Sequence, residues 1–128
     1  MPRKSKDRRP PIAIGHVMFE ARDVAAAAEW FETVGLRPIA GGEDFAVLEL
    51  RGGTHLIVTK AARRAKRRAK APFDLMVDDV DRTRRAFAEK GLAPSRIRRG
   101  SIHDSFDLPG PDGVRVTVLS SHAGRRPV

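Results

Sequence analysis

Five landmarks of this chain occur twice at one fixed interval. Asp23-Val24, Phe31, Gly35, Leu36 and Pro38 return as Asp79-Val80, Phe87, Gly91, Leu92 and Pro94, each pair 56 positions apart. These residue types start a helix, pack it, stop it and lead into a strand, so the echo marks one supersecondary unit built twice. A chain of 128 residues holds one core of ordinary size and not two. The two units must therefore share a core or pair with a second chain, and the junction between equivalent positions is where a site is expected.

Each unit reads the same way. Ile12 to Ala21 alternates as a strand, Asp23 offers a helix cap, and Val24, Ala27, Phe31 and Val34 recur at helical spacing before Gly35. Strand candidates follow at Leu36 to Ala40, Phe45 to Leu50 and His55 to Lys60, punctuated by Gly41-Gly42 and Gly52-Gly53. The second unit predicts a strand at Phe73 to Val77 and a helix capped by Asp79 or Asp81 running to Lys90. Strands are then expected near Ile97, at Ile102 to Leu108 and at Val114 to Leu119. The fold class is α+β: two βαβββ repeats forming curved mixed sheets with helices on the outer face. Trp30 falls off the apolar stripe of the first helix and is expected to be partly exposed or to make a subunit contact.

The predicted organisation is a disordered basic arm over 1–11, one domain over 12–120 and a basic tail over 121–128. Within the domain, 12–59 is the first unit, 60–71 a basic linker and 72–120 the second unit. The net charge is +9, but it is concentrated in the arm, in the linker with its seven cations between Lys60 and Lys70, and in the tail. The repeats themselves are mildly acidic. The linker reads as a connector or a short Ala-striped helix; it lacks the interleaved aromatics that a nucleic-acid surface would carry, so nucleic-acid association is a secondary alternative. The absence of cysteine removes disulfides and thiolate chemistry. No apolar run is long enough to span a membrane and no secretory signal is evident, so no membrane association and a cytoplasmic location are expected.

Strand parity separates two faces of each sheet. Val17, Phe19, Leu56, Val58, Leu75, Val116 and their neighbours make an apolar face suited to lie under the helices. The opposite face is mixed, with His16, Met18 and Glu20 on the first strand, His55 and Ile57 on the fourth, Asp74 and Met76 on the fifth, and Arg115 and Thr117 on the last. Methionine and isoleucine among polar groups favour a half-enclosed ligand surface. Ser101, His103, Asp104 and Ser105 lie close in sequence, but strand neighbours point to opposite faces and no nucleophile-elbow glycines accompany them, so no catalytic triad is expected there.

The stretches IGHVMFEARDVAAAAEWFETVGLRPI, FDLMVDDVDRTRRAFAEKGL and LPGPDGVRVTVLSSH together resemble the vicinal-oxygen-chelate superfamily, which includes glyoxalase I, fosfomycin-resistance enzymes, extradiol dioxygenases and bleomycin-resistance proteins. The resemblance covers 12–120. It implies homodimers and, in metal-dependent members, His, Gln or Glu ligands on the first and last strands of each unit. Here those points carry His16, Ile57, Pro72 and Thr117, so only His16 is a candidate metal ligand and no cofactor is predicted; a divalent ion is the alternative. A displaced site from His16, His55 and Asp74 requires shifts of two residues along a strand, roughly 6.6 Å.

Three functions follow. The first is a small-molecule-binding protein of the glyoxalase/bleomycin-resistance type, its pocket supplied by the nine mixed-face residues, with Arg115 gripping an anionic group of a small organic ligand. The alternative is a metal-dependent lyase, isomerase or dioxygenase of the same superfamily. The third is a nucleic-acid-associated protein.

Overall fold

Asp23 and Asp79 perform the same task in the two halves. Each stands in extended backbone, and its carboxylate accepts a 3.0 Å hydrogen bond from the N–H three residues on, Ala26 or Arg82. Satisfying an otherwise orphaned N–H starts α1 (Val24–Val34) and α2 (Val80–Glu89). Both helices end at a glycine in left-handed backbone, Gly35 at φ 130° and Gly91 at φ 77°, a conformation costly for residues with a Cβ.

The computed structural model describes residues 7–62 and 68–121. The first unit contains β1 (His16–Ala21), α1, β2 (Arg37–Gly41), β3 (Phe45–Glu49) and β4 (His55–Lys60). The second contains β5 (Leu75–Val77), α2, β6 (Arg98–Arg99), β7 (Asp104–Pro109) and β8 (Arg115–Ser120). Their sheets have matching orders, β1-β4-β3-β2 and β5-β8-β7-β6, each with one parallel pair at the first strand and antiparallel pairs beyond. The architecture is the expected α+β arrangement of two βαβββ units with mixed sheets.

Period-two alternation places Phe19, Leu56, Val58 and Leu48 beneath α1, and Leu75, Val116, Val118 and Phe106 beneath α2. All eight are buried. Phe31 and Phe87 fill the helix side of each half, meeting Phe19 and Phe106 edge to face at 5.2 and 6.2 Å. Burial of this apolar face is the main stabilisation, because no buried polar or charged residue interrupts it among the described residues.

Three strands begin two or more residues later than their alternation suggests, among them β7, which starts at Asp104 and not at Ile102. β1 starts at His16 and not at Ile12, because its parallel partner β4 begins at His55, opposite His16. Ile12 and Ile14 are left 86% and 65% exposed, although Ile14 still lends its carbonyl to the Thr54 hydroxyl. β5 likewise starts at Leu75 and not at Phe73, its partner on β8 being Val118. Residues 63–67 of the basic linker lie outside the described residues, as do most of the arm and tail.

The units meet through reciprocal contacts of their turns. The 3₁₀ turn Arg51–Gly53 reaches the second unit, where the Arg51 guanidinium donates to both carboxylate oxygens of Asp78 at 3.0 and 3.1 Å. Its counterpart, the turn Pro111–Gly113, reaches the first unit, where Asp112 accepts from the Arg22 N–H at 2.9 Å. Residues 22 and 78 are themselves related by the 56-residue interval. Phe73 packs against Phe19 and Phe31 across this seam at 6.4 and 6.2 Å, and Lys90 donates to the Thr33 carbonyl between the helix ends. Trp30 is half-buried and faces Gly110 of the second unit, so its contact is between repeats within the chain.

Candidate functional site

The face of each sheet turned away from its helix is open, and strand register sorts its residues into rows. In the first sheet His16 lies opposite His55, His55 opposite Glu49, and Glu49 opposite Arg37, one row across four strands. The imidazoles of His16 and His55 stack with centroids 5.9 Å apart and planes 17° from parallel. His55 Nε2 lies 3.4 Å from a Glu49 carboxylate oxygen, and Arg37 donates to the other oxygen. The next row, Met18, Ile57 and Val47, is apolar. Beyond it come Glu20, Thr59 and Phe45.

The second sheet has the same rows with different chemistry. Asp74 continues β5 alongside Thr117, which faces Asp107. Asp107 accepts from both terminal nitrogens of Arg98 at 2.8 and 3.1 Å and from the Thr117 hydroxyl at 2.8 Å. The Arg98 guanidinium, helped by that hydroxyl, holds the Asp107 carboxyl below its ordinary range against the opposing effect of burial. Met76 faces Leu119, which faces Ser105.

The nine residues selected from the sequence therefore divide. His16, Met18, Glu20, His55 and Ile57 share the open face of the first sheet; Asp74, Met76, Arg115 and Thr117 share that of the second. No hydrogen bond or ion pair joins the two groups among the described residues. What brings them near is the seam, where β1 and β5 are the facing edges of their sheets. A cavity of about 310 Å³ there takes Met18 and Glu20 with Arg22, Phe73 and Asp112. A larger one of about 900 Å³ takes Asp74 and Met76. The first joins residues 17–20 to Pro72 and Phe73, and the second joins Ile14 and Val17 to residues 72–77.

Sequence reading missed Arg37, Glu49, Arg98 and Asp107, which hold the polar groups of both faces. Their only sequence signal is opposite charge at strand positions whose pairing depends on register. His103 and Asp104 bind locally: His103 Nδ1 lies 2.6 Å from the Ser120 carbonyl, the Asp104 N–H donates to the Ser120 hydroxyl, and the Asp104 carboxylate accepts from Arg99. Arg99 also grips Asp81, lowering that carboxyl.

The donor set at the four points that the family resemblance gives for a metal does not fit one. Isoleucine, proline and threonine at 57, 72 and 117 leave His16 without comparable partners, while a tightly held divalent ion takes about three protein ligands in a catalytic geometry. Among the described residues no three His, Cys, Asp or Glu side chains form a group able to hold an ion.

No family model and no curated protein matches the sequence. Solved structures do match in fold. A lactoylglutathione lyase from Agrobacterium tumefaciens superposes with a TM-score of 0.73 at 20% identity, covering 91% of this chain and 99% of the other. A glyoxalase/bleomycin resistance protein/dioxygenase from Nocardioides gives 0.70 at 18%, over 94% and 89%. A similarly described protein from Alicyclobacillus acidocaldarius gives 0.66 at 18%, over 88% and 94%. Because the agreement runs through both repeats and nearly end to end, the chain has the fold of the vicinal-oxygen-chelate superfamily.

Proposed function

We propose that this chain binds a small organic molecule on the open face of its two sheets, using His16, Glu20, His55, Asp74, Arg115 and Thr117 as polar contacts and Met18, Ile57 and Met76 as apolar wall, without a bound metal. The observation that carries this reading is the contrast between the two faces across the repeat. Helix-side positions stay apolar in both halves: Phe19 matches Leu75 at the 56-residue interval, and beyond the turns, where Gly53 aligns with Gly113 at an interval of 60, Leu56 matches Val116 and Val58 matches Val118. Open-face positions change kind: His16 matches Pro72, Met18 matches Asp74, Glu20 matches Met76, His55 matches Arg115 and Ile57 matches Thr117. A face that only met water would need polarity and nothing more. Instead Met18 and Met76 stand 49% and 44% exposed beside fixed charged groups, the mixture that ligand surfaces use.

The superfamily fold also carries enzymes, and the Agrobacterium protein is named a lyase. The donor set at 16, 57, 72 and 117 favours binding over a metal-dependent reaction here.

The test is a titration of methyl-labelled protein with a panel of small carboxylates, benzoate included. Saturable shifts at Met18, Ile57 and Met76 are expected, with affinity falling about fivefold in His16→Ala, the worth of one hydrogen bond. Stoichiometric zinc, nickel, manganese or iron retained through gel filtration and lost in His16→Ala would make the enzyme reading the better one. A salt-dependent mobility shift on mixed-sequence DNA, with no carboxylate bound, would point to the basic segments instead.

A further inference from the structure

The larger seam cavity takes most of its apolar wall from the helix side of the sheets, and Asp74 and Met76 reach it at the β5 edge. Its walls are the end of α1 and the turn after it (Val34, Leu36), the helix side of β1 (Val17), the helix side of the β5 segment (Phe73, Val77) and Phe87 of α2. Leu36 and Phe87 are buried, whereas Val17, Val34, Phe73 and Val77 pack against the core yet stay partly open. A volume of about 900 Å³ with an apolar lining falls within the range of small-molecule sites. Such walls left to water would cost free energy roughly in proportion to their area, which an apolar occupant recovers.

The polar groups at its mouth narrow the occupant. Arg51 is already paired with Asp78, and Glu49 with Arg37 and His55. Asp74 also lines the cavity, at the β5 edge, and its carboxylate disfavours an anion at that end. Lys70 is exposed and has no carboxylate partner among the described residues. Lys70 closes the basic linker, whose seven cations favour an anion over a cation at this end of the second unit.

We infer that this helix-side cleft is a second binding site, for a small monoanionic amphiphile: a single alkyl or aryl body between the two helix ends and a carboxylate at the mouth near Lys70. It shares Asp74 and Met76 with the open-face site, while Met18 and Ile57 belong to the open face and not to this cleft. The two units contribute opposite walls, so the site exists only because both repeats are in one chain. Occupancy would also hold the units together at the seam, adding to the packing of Phe73 on Phe19 and Phe31.

The experiment uses the full chain, methyl-labelled, titrated with dodecanoate below its micelle concentration. Saturation at one molecule per chain is expected, with shifts at Val17, Val34, Leu36 and Val77 and none at Met18 or Ile57 of the open face. Lys70→Ala should weaken binding about fivefold, the weight of one solvent-facing ion pair, and dodecyltrimethylammonium should bind more weakly than dodecanoate. Val34→Trp should narrow the cleft at the end of α1 and weaken dodecanoate binding about tenfold; if that variant does not fold, the wild-type methyl pattern still decides. Shifts confined to Met18 and Ile57, non-saturating shifts, or equal affinity for the cationic probe would overturn the assignment.

Discussion

Asp107 shows how one carboxylate can organise a face. Its position in the repeat corresponds to Val47, so the second unit has exchanged an apolar strip for a fixed charge that accepts three hydrogen bonds, two from Arg98 and one from Thr117. Its folded pKa is depressed by Arg98 first. A depressed carboxylate contributes stability above its unfolded pKa, about 4, and loses it as pH falls through the lower folded value. Asp107→Asn is therefore expected to destabilise the protein at pH 7 by about 1–2 kcal/mol, the cost of weakening charge-assisted bonds at a half-buried site. The gap to wild type should narrow as pH falls below 4. Urea melts at several pH values check this; a gap that stays constant with pH would mean that the carboxylate's charge is not what stabilises the knot.

At the scale of elements, the helices were legible and the strand ends were not. Asp23, Asp79, Gly35 and Gly91 act through local backbone chemistry that a sequence carries in full, and both helices begin and stop at those signals. Gly91 is the sharper test: its φ of 77° disfavours any Cβ, yet no atom lies near where one would stand. Gly91→Ala should cost about 1 kcal/mol through backbone conformation alone, visible as a lower melting temperature with unchanged binding. Strand ends depend on a partner elsewhere in the chain. Ile12 and Ile14 alternate correctly, but no strand lies opposite them, and β1 begins only where His55 provides a partner. The same limit hid the supports of the site. His16 and His55 could be assigned to one face by parity, whereas the pairing of Glu49 with both His55 and Arg37 rests on the register of two hairpins. The divergence between Met18 and Asp74, or His55 and Arg115, was readable all along from the 56-residue and turn-based alignments, but only the observed sheets show that each lies in a row of its own chemistry.

The whole molecule leaves one question of assembly, since β1 and β5 face each other and the remaining sheet edges are β2 and β6. β6 is two residues long, and β2 is interrupted by a register shift between Pro38 and Ala40, with Pro38 lacking an N–H. Both features blunt an edge against backbone pairing. Beside β2, however, lies an apolar hollow of about 400 Å³ between the hairpin and α1, lined by Val24, Ala28, Ile39 and Phe45. Ile39 and Phe45 are 49% and 45% exposed there, more apolar surface than a lone chain gains by displaying. The chain is expected to form a homodimer that covers this hollow through side-chain packing, with the two copies related by a twofold axis and not by a shared strand ladder. Sedimentation at micromolar concentration should then give twice the 14.1 kDa chain mass, and Ile39→Lys should shift it to a single chain without lowering the melting temperature of the isolated fold. A wild-type protein that sediments as one chain would remove this assembly, while leaving the seam between repeats, and the two sites that flank it, intact within each copy.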